Sequence, residues 1–473
     1  MEEKFIRRSF HFLCLGILLV VFAEATHIPA YPKMLEHFRL GAGYAVYMQL
    51  GFALGLTGFQ PLMGWLSDSF GQKIVVLFGA GFLAIGSILI ATAPAFWVLV
   101  VGLFLKGFSG AAVIPAGVSF VGRYFTHQQR GKTMGIYGFY TVIGGLAGPI
   151  LSGILIDRFG WNSIFFLCSF FGVLSFLLFA LGVPNVKGKR SDSFDFLGVI
   201  FVFLLLGGLL TVPTFINNYG ISSWMWVPAL VVSIISFLLL LAVEKKQKKP
   251  LLDIKYAKTR NFWGPSIIAV IMYMSFSSVM YVLTFFVQSV QGKSSTVVGL
   301  LQFPLFLTMA VANIISGRLM GKYSPRRLIG VAIALLVAGV GMLSMARTDT
   351  SFIYLFISMS LIGSAIGTVG PVVKSVIVSK ASPTRLGVVS FTYITIENVA
   401  SRVGASFALV AFALFSAGGY ASSALSTTAL LLTIFTAVSF LFLMFIPKKN
   451  ETKGEEMVEV IDLNQDSETT TIG

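Results

Sequence analysis

The sequence predicts an all-α membrane protein of about fourteen transmembrane helices, and three observations carry that prediction. The chain of 473 residues is 56% hydrophobic and only 11% charged, where an ordinary soluble domain carries about 25% charged residues. Apolar runs recur from residue 10 to residue 446, with no polar stretch long enough to hold a separate folded domain. The basic residues sit in short clusters between those runs. A water-soluble fold cannot hide that much apolar surface, so the lipid bilayer must be the solvent and an obligatory partner.

A hydrocarbon core about 30 Å thick takes roughly 20 apolar helical residues to cross. Fourteen runs meet that length, at 10–32, 42–63, 74–94, 96–121, 133–156, 162–184, 196–216, 224–243, 262–288, 296–317, 328–346, 351–378, 388–416 and 422–446. The first follows a basic MEEKFIRR start, as a secretory signal would. No small-residue cleavage site follows it and further spans do, so a retained first helix is expected.

Lys and Arg set the orientation, because cytoplasmic loops of membrane proteins collect them. With the N-terminus inside, 26 of the 34 fall on inner segments, and the outer segments hold only Lys33, Arg39, Arg158, Lys293 and Arg347. Both termini are therefore expected in the cytoplasm, with the chain multi-pass in a cell (inner or plasma) membrane. Beyond Ile446, residues 451–473 hold seven acids against one lysine, the composition of a disordered cytoplasmic tail.

Topology also accounts for the net charge of +15: no basic stripe of the kind that binds nucleic acid is present. Cys14 and Cys168 lie inside apolar runs and read as hydrophobes rather than as a disulfide. The four histidines have no metal-ligand spacing, and no phosphate-cradling loop is found. No metal, cofactor or catalytic cluster is expected, and a monomer suffices. Uphill transport would then have to draw on an ion gradient.

An internal repeat divides the chain. GWLSDSFGQK at 64–73 resembles GRLMGKYSPR at 317–326, displaced by 253 residues, and RGKTMG at 130–135 resembles RLGVVS at 385–390, displaced by 255. Two similar offsets imply two six-helix bundles in the same orientation, 1–184 and 262–446. Between them lies an inserted two-helix hairpin with its linkers, 185–261, and the acidic tail follows at 447–473. Parallel halves of this kind are a transporter plan, with the substrate site near mid-membrane between them.

Only two of the 19 acids, Glu24 and Glu397, lie well inside spans. A carboxylate at the bilayer centre costs several kcal/mol, which makes each a functional candidate by default. At 1.5 Å per residue, Glu397 sits about 13 Å and Glu24 about 21 Å from the inner ends of their runs. Burial disfavours the charged carboxylate, the property that proton exchange near neutral pH requires. The competing structural reading is an acid held by a buried base. Three bases, Lys106, Lys374 and Arg402, also fall inside spans. Lys106 lies about 15 Å into its run, too deep for snorkelling, whereas Lys374 is near enough to the inner end to snorkel. Arg402 stands some 140° around the helix from Glu397, so each is expected to face a partner on another helix.

Two glycine-bearing segments complete the candidates. Gly64, Asp68, Gly71 and Lys73 mark a tight turn between helices, with Asp68 able to latch one conformation. Run five carries Gly138, Gly144, Gly145, Gly148, Pro149 and Gly153, small residues that permit close packing, and a proline that removes a helix hydrogen bond. Trp161, Tyr219, Trp224 and Trp226 fit an interfacial aromatic belt.

These residues resemble the major facilitator superfamily over nearly the whole chain, and within it the fourteen-helix drug:proton antiporter branch. GWLSDSFGQKIVVL is similar to the loop motif between helices two and three, with Gly64, Asp68, Gly71 and Lys73 matching and Gln72 at a usually basic position. GGLAGPILSG at 144–153 resembles the antiporter motif of helix five through Gly144, Gly148, Pro149 and Gly153, and GLLQFP at 299–304 resembles the opening of helix ten. In KGFSGAAVIPAG at 106–117, the motif's usual arginine is replaced by Leu103, and Lys106 follows one helical turn on. Glu24, VVK at 372–374 and FTYITIEN at 391–398 resemble Gram-positive tetracycline efflux pumps most nearly.

The resemblance implies a major facilitator fold. It implies a secondary transporter that is not an enzyme, exporting amphipathic drug-like or metabolite substrates against protons by alternating access. Glu24 and Glu397 are then the expected proton and substrate carboxylates, with Lys106, Lys374 and Arg402 tuning them. The alternatives within transport are a monovalent-cation/proton antiporter and an importer of a small organic anion, which the buried bases would suit. Outside transport, a membrane sensor remains; a membrane enzyme would need a polar catalytic cluster at one face, and the sequence offers none.

Overall fold

A computed structural model describes residues 3–125, 127–185, 196–220, 222–244, 256, 258–320, 322–378, 386–415 and 424–446. Every described element is helical. In chain order they are α1 (Glu3–Ala25), α2 (His27–His37), α3 (Ala45–Ala53), α4 (Gln60–Phe70), α5 (Gln72–Ala91), α6 (Phe96–Tyr124), α7 (His127–Phe159) and α8 (Trp161–Gly182). The order continues with α9 (Phe196–Tyr219), α10 (Val227–Glu244), α11 (Arg260–Phe285), α12 (Ser295–Leu319), α13 (Pro325–Ser344), α14 (Phe352–Val378), α15 (Leu386–Phe415) and α16 (Ala424–Phe442). The expected tail at 447–473 and most of the basic linkers lie outside the described residues.

Thirteen helices are long and apolar enough to cross a bilayer among the described residues, against fourteen apolar runs. The difference lies in run two, where α3 passes through a five-residue π-helical segment, Leu54–Gly58, before α4 resumes. Pro61 explains the widening. It brings no N–H to the carbonyl four residues back, and a π turn accommodates the missing bond at the cost of one irregular step. Run one divides for the same reason. Pro29 cannot bond to the Ala25 carbonyl, and α1 ends at Ala25 while α2 starts at His27. Thr26 covers the break, its hydroxyl donating to the Ala23 carbonyl at 2.7 Å.

Packing repeats along the chain. Helix α1 packs on α6, α7 and α8, while α5 packs on α6 and α8; α11 packs on α14, α15 and α16, while α13 packs on α14 and α16. The two sets match helix for helix. They meet along two seams, α7 against α12 and α3 against α15, and α9 of the hairpin lies beside α3 and α15. Glycine lets the first seam close. A Cβ on Gly299 would lie 2.3 Å from the Pro149 carbonyl oxygen, and one on Gly153 only 2.5 Å from that of Ser295.

Two contacts pin the helix sets together at the face opposite the N-terminus. The Asp157 carboxylate, at the end of α7, accepts from the backbone N–H groups of Ser295 and Thr296 at 2.9 and 2.7 Å, capping the start of α12. Nearby, the Gln288 amide donates to the Pro29 carbonyl at 2.8 Å. Helix α2 seals the same face, and this accounts for a departure from the aromatic belt. Trp161 is buried, its ring 5.4 Å from His37 and 6.4 Å from Phe38, whereas Trp224 and Tyr219 are exposed.

Candidate transport site

Glu24 is one residue from the end of α1, and past the break the chain packs on the first helix set, Thr26 against Lys106 and Cys168 and His27 against Phe52. Its carboxylate stands over Gly110 of α6, where a methyl group would come within 3.1 Å of the carboxyl carbon. Both carboxylate oxygens are buried and have no hydrogen-bond partner among the described residues. Two cations act on them, Lys106 and Arg402.

Lys106 is fully buried. Its ammonium reaches the Thr26 hydroxyl at 3.4 Å and lies 5.2 Å from the centre of the Phe165 ring. The Cys168 sulfur touches the same hydroxyl, also at 3.4 Å. Arg402 comes from the other helix set. Its guanidinium lies over Phe52 of α3 at 4.9 Å and beside Tyr281 of α11. Tyr281 in turn donates to the Gln49 side-chain oxygen, so two contacts cross the seam at mid-depth.

Around these residues several buried polar atoms have no hydrogen-bond partner among the described residues. Both ring nitrogens of His27, the Tyr31 hydroxyl, the Gln49 amide nitrogen and Arg402 Nε are all buried and unpartnered among the described residues. The His27 ring is 4.2 Å from that of Phe52 and 5.5 Å from that of Tyr31. Unsatisfied polar atoms are rare inside proteins because each costs about 1–3 kcal/mol. A group of them in one place is the signature of a site that receives water, a proton or a ligand.

Glu397 belongs to a second cluster. The Lys374 ammonium on α14 lies 3.6 Å from its carboxylate and 5.8 Å from the Tyr393 ring centre. Tyr273 and Tyr393 border the same carboxylate. One residue on, the Asn398 amide donates to the Gln60 oxygen of α4 at 3.2 Å, a further contact between the helix sets. Thus the five intramembrane charges divide into Glu24 with Lys106 and Arg402, and Glu397 with Lys374.

The motif residues hold helices rather than ligands. Gly71 takes a φ of +101° between α4 and α5, a conformation that favours glycine. Lys73 donates to the Ala180 carbonyl at 2.6 Å, and Gln72, at the usually basic position, donates to the carbonyl of Ala116. Gly64 and Asp68 fall on α4, and the surroundings of both lie outside what is described. Gly144 and Gly148 face α1, where added methyl groups would meet Leu18 O at 2.6 Å and Phe22 O at 2.8 Å. Gly153 and Pro149 face α12, as described above. Leu103 is fully buried in the core of α1–α8.

Comparison with known proteins places this architecture. The Major Facilitator Superfamily model matches residues 13–405. The chain belongs to the major facilitator superfamily. It is accordingly a multi-pass membrane transporter and not an enzyme. The multidrug transporter protein MdtP of Bacillus subtilis (strain 168) is 24% identical to this major facilitator protein over 383 residues, covering 80% of the chain and 71% of MdtP. The riboflavin transporter RibZ of Clostridioides difficile (strain 630) is 23% identical, covering 84% and 86%. Among solved structures, the POT family transporter PepTSo superposes with a TM-score of 0.65 at 16% identity, covering 92% of this chain and 96% of that one. The human organic anion transporter MFSD10 (TETRAN) gives 0.60 at 18% identity, covering 94% and 100%. These likenesses establish the fold, and they agree with the drug-transporter branch that the motifs indicated.

His27, Tyr31, Gln49, Tyr281 and the tyrosines around Glu397 are absent from the sequence-derived candidates. Neutral polar side chains are ordinary in membrane helices. Only the break after α1 and the approach of α11 and α15 bring these together.

Proposed function

We propose that this transporter exports amphipathic small molecules in exchange for protons, by alternating access between two six-helix bundles, 1–184 and 262–446. Glu24 and Glu397 are the proton-carrying groups, and both termini face the cytoplasm. One observation carries the reading: the Glu24 carboxylate, without a hydrogen-bond partner among the described residues, lies within the field of one cation from each bundle. Lys106 belongs to the first bundle and Arg402 to the second. An ionised Glu24 attracts Arg402 across the seam, and a proton on Glu24 cancels that attraction. Protonation state and the tightness of the seam are thereby coupled, which is what an ion-driven conformational cycle needs. The Phe52, Phe165, Tyr31 and Tyr281 rings offer the apolar surface for an amphipathic substrate.

A second reading is favoured by the charge balance. Two cations face Glu24, and the unpartnered Gln49 and Arg402 nitrogens are donors. Such a set suits an anionic head group. A proton on Glu24 would strengthen an anion's binding, so the two would travel together, giving import of an organic anion rather than export against protons. The same balance disfavours a monovalent-cation antiporter, since a metal cation would meet two like charges.

Inverted membrane vesicles with an imposed interior-acid gradient test both. Addition of a cationic or neutral dye-like substrate is expected to dissipate the gradient, with Glu24→Gln and Glu397→Gln each lowering the rate at least about tenfold, equivalent to 1.4 kcal/mol. Equal transport by both variants with no gradient dependence overturns proton coupling. Dissipation only when an aromatic carboxylate is loaded inside the vesicles, so that it leaves together with the proton, selects the second reading.

A further inference from the structure

On the outer surface of the second helix set, α12 and α13 each pack on α14 and diverge from one another. Between them runs an apolar groove of about 1040 Å³, floored by α14 and lined by Val311, Ala312, Ile315 and Val331, with Tyr323 and Arg327 at one end. From Leu307 to Leu319 along α12 the groove extends about 18 Å at 1.5 Å per residue. That is close to half of a hydrocarbon core about 30 Å thick, the depth of a single leaflet.

The repeat explains why the groove is empty of side chains. Displaced by 253 residues, Ala312 corresponds to Phe59, Val331 to Phe78 and Gly330 to Leu77. In the first helix set, the Phe59 ring is wedged at 5.7, 5.1 and 5.7 Å from those of Phe104, Phe108 and Phe203, the last from the hairpin helix α9. The equivalent space in the second set is left open by small residues, and no helix covers it among the described residues. An open apolar groove facing lipid is filled by acyl chains, because a void forfeits the packing contacts of its walls.

The groove's closed end is charged. Arg318, Lys322, Arg326 and Arg327 stand within ten residues, and no acid occurs between residues 295 and 348. Arg318, Lys322 and Arg327 are exposed. Tyr323, itself exposed, adds a hydroxyl donor beside Arg327. We propose that this groove is a specific binding site for one anionic phospholipid. Its acyl chain lies between α12 and α13 and its phosphate is held by Arg327, Tyr323 and Lys322. The chemistry of both halves of the ligand is matched, apolar for one leaflet's depth and cationic at headgroup level. The site bears on transport because α12 also forms the glycine seam with α7, so a lipid wedged behind it biases the angle at which that seam closes.

The test uses the purified full chain. Retention of phosphatidylglycerol is measured by native mass spectrometry, and melting temperature is followed on titration with phosphatidylglycerol or phosphatidylcholine. One tightly retained phosphatidylglycerol is expected, with phosphatidylcholine needing at least about tenfold more for the same stabilisation. Val331→Phe puts a ring on the groove wall, the residue type found at the matching position of the other set (Phe78), yet leaves every cation in place. Val331 is 56% exposed, so the larger ring stays out of the core. This variant and Arg327→Gln should each weaken retention about tenfold or more. Equal binding of phosphatidylcholine overturns the headgroup assignment. Unchanged retention by Val331→Phe shows lipid held only by a general belt of cations, and overturns the site.

Discussion

Lys106 is held by a neutral hydroxyl and an aromatic face, with Thr26 at 3.4 Å and Phe165 at 5.2 Å. A desolvated cation–π contact contributes about 2 kcal/mol. Phe165→Leu keeps the volume apolar and removes the quadrupole, so a loss of about 1–2 kcal/mol is expected, read as a lower melting temperature of the detergent-solubilised protein. A melting point equal to wild type would mean the ring only packs there. Gly110 offers a sharper probe of the acid. Gly110→Ala would place a methyl 2.8 Å from Leu56 and 3.1 Å from the Glu24 carboxyl carbon, forcing the carboxylate aside. Gradient-driven transport should fall at least about tenfold while the protein remains monodisperse; unimpaired transport would separate Glu24 from the reaction. At this scale the sequence is legible where a charge stands in oil, because a membrane helix rarely keeps so costly a group without a use for it. Gln49, Tyr31 and Tyr281 carry no such expense and could not be told from packing residues before their partners were placed.

Elements were legible wherever hydropathy alone decides, and illegible where proline interrupts an apolar run without making it polar. Runs one and two read as continuous spans. Pro29 and Pro61 break them into α1–α2 and α3–π–α4, and at the first break Thr26 meets Lys106 and His27 meets Phe52. The seam between α7 and α12 was half legible. Glycines at 144, 148 and 153 announce close approach, yet nothing in their spacing says that 144 and 148 face α1 while 153 faces α12. Asp157 joins that seam from a distance of 138 residues in sequence, beyond the reach of any local pattern. Its three acceptances at the start of α12 form a helix cap supplied by another helix, and removing such a cap costs about 0.5–2 kcal/mol. Asp157→Ala should therefore favour separation of α7 from α12 by up to roughly thirtyfold, in line with 1.4 kcal/mol per factor of ten. Maleimide labelling of a cysteine introduced at Ser294 measures this as a faster rate. An unchanged rate would assign Asp157 to local stability alone.

At the scale of the whole molecule, the matched packing of α1–α8 and α11–α16 and the repeat offsets in sequence express one fact, that the same six-helix unit is present twice. What the offsets could not supply is how the two copies meet. In the structure they are joined at mid-depth by Tyr281 with Gln49, Arg402 with Phe52 and Asn398 with Gln60, and at the face opposite the N-terminus by Gln288 with Pro29 and Asp157 with α12. If the proposed cycle operates, the last group must separate in every turnover, since a substrate as wide as an aromatic ring cannot leave between helices whose backbones touch. A cross-link tests that requirement directly. Cysteines at Lys33 and Ser289, exposed residues that line one cleft beside the Gln288–Pro29 contact, bridged by a short bifunctional reagent, would tie α2 to the segment that ends α11. The two native cysteines, Cys14 and Cys168, are buried and would not compete for the reagent. Transport should stop in the bridged double variant, return when a reductant opens a disulfide-containing bridge, and persist in each single variant treated alike. A bridged protein that still dissipates the gradient at the wild-type rate would show that this face stays shut throughout, and alternating access between the two bundles would have to be abandoned.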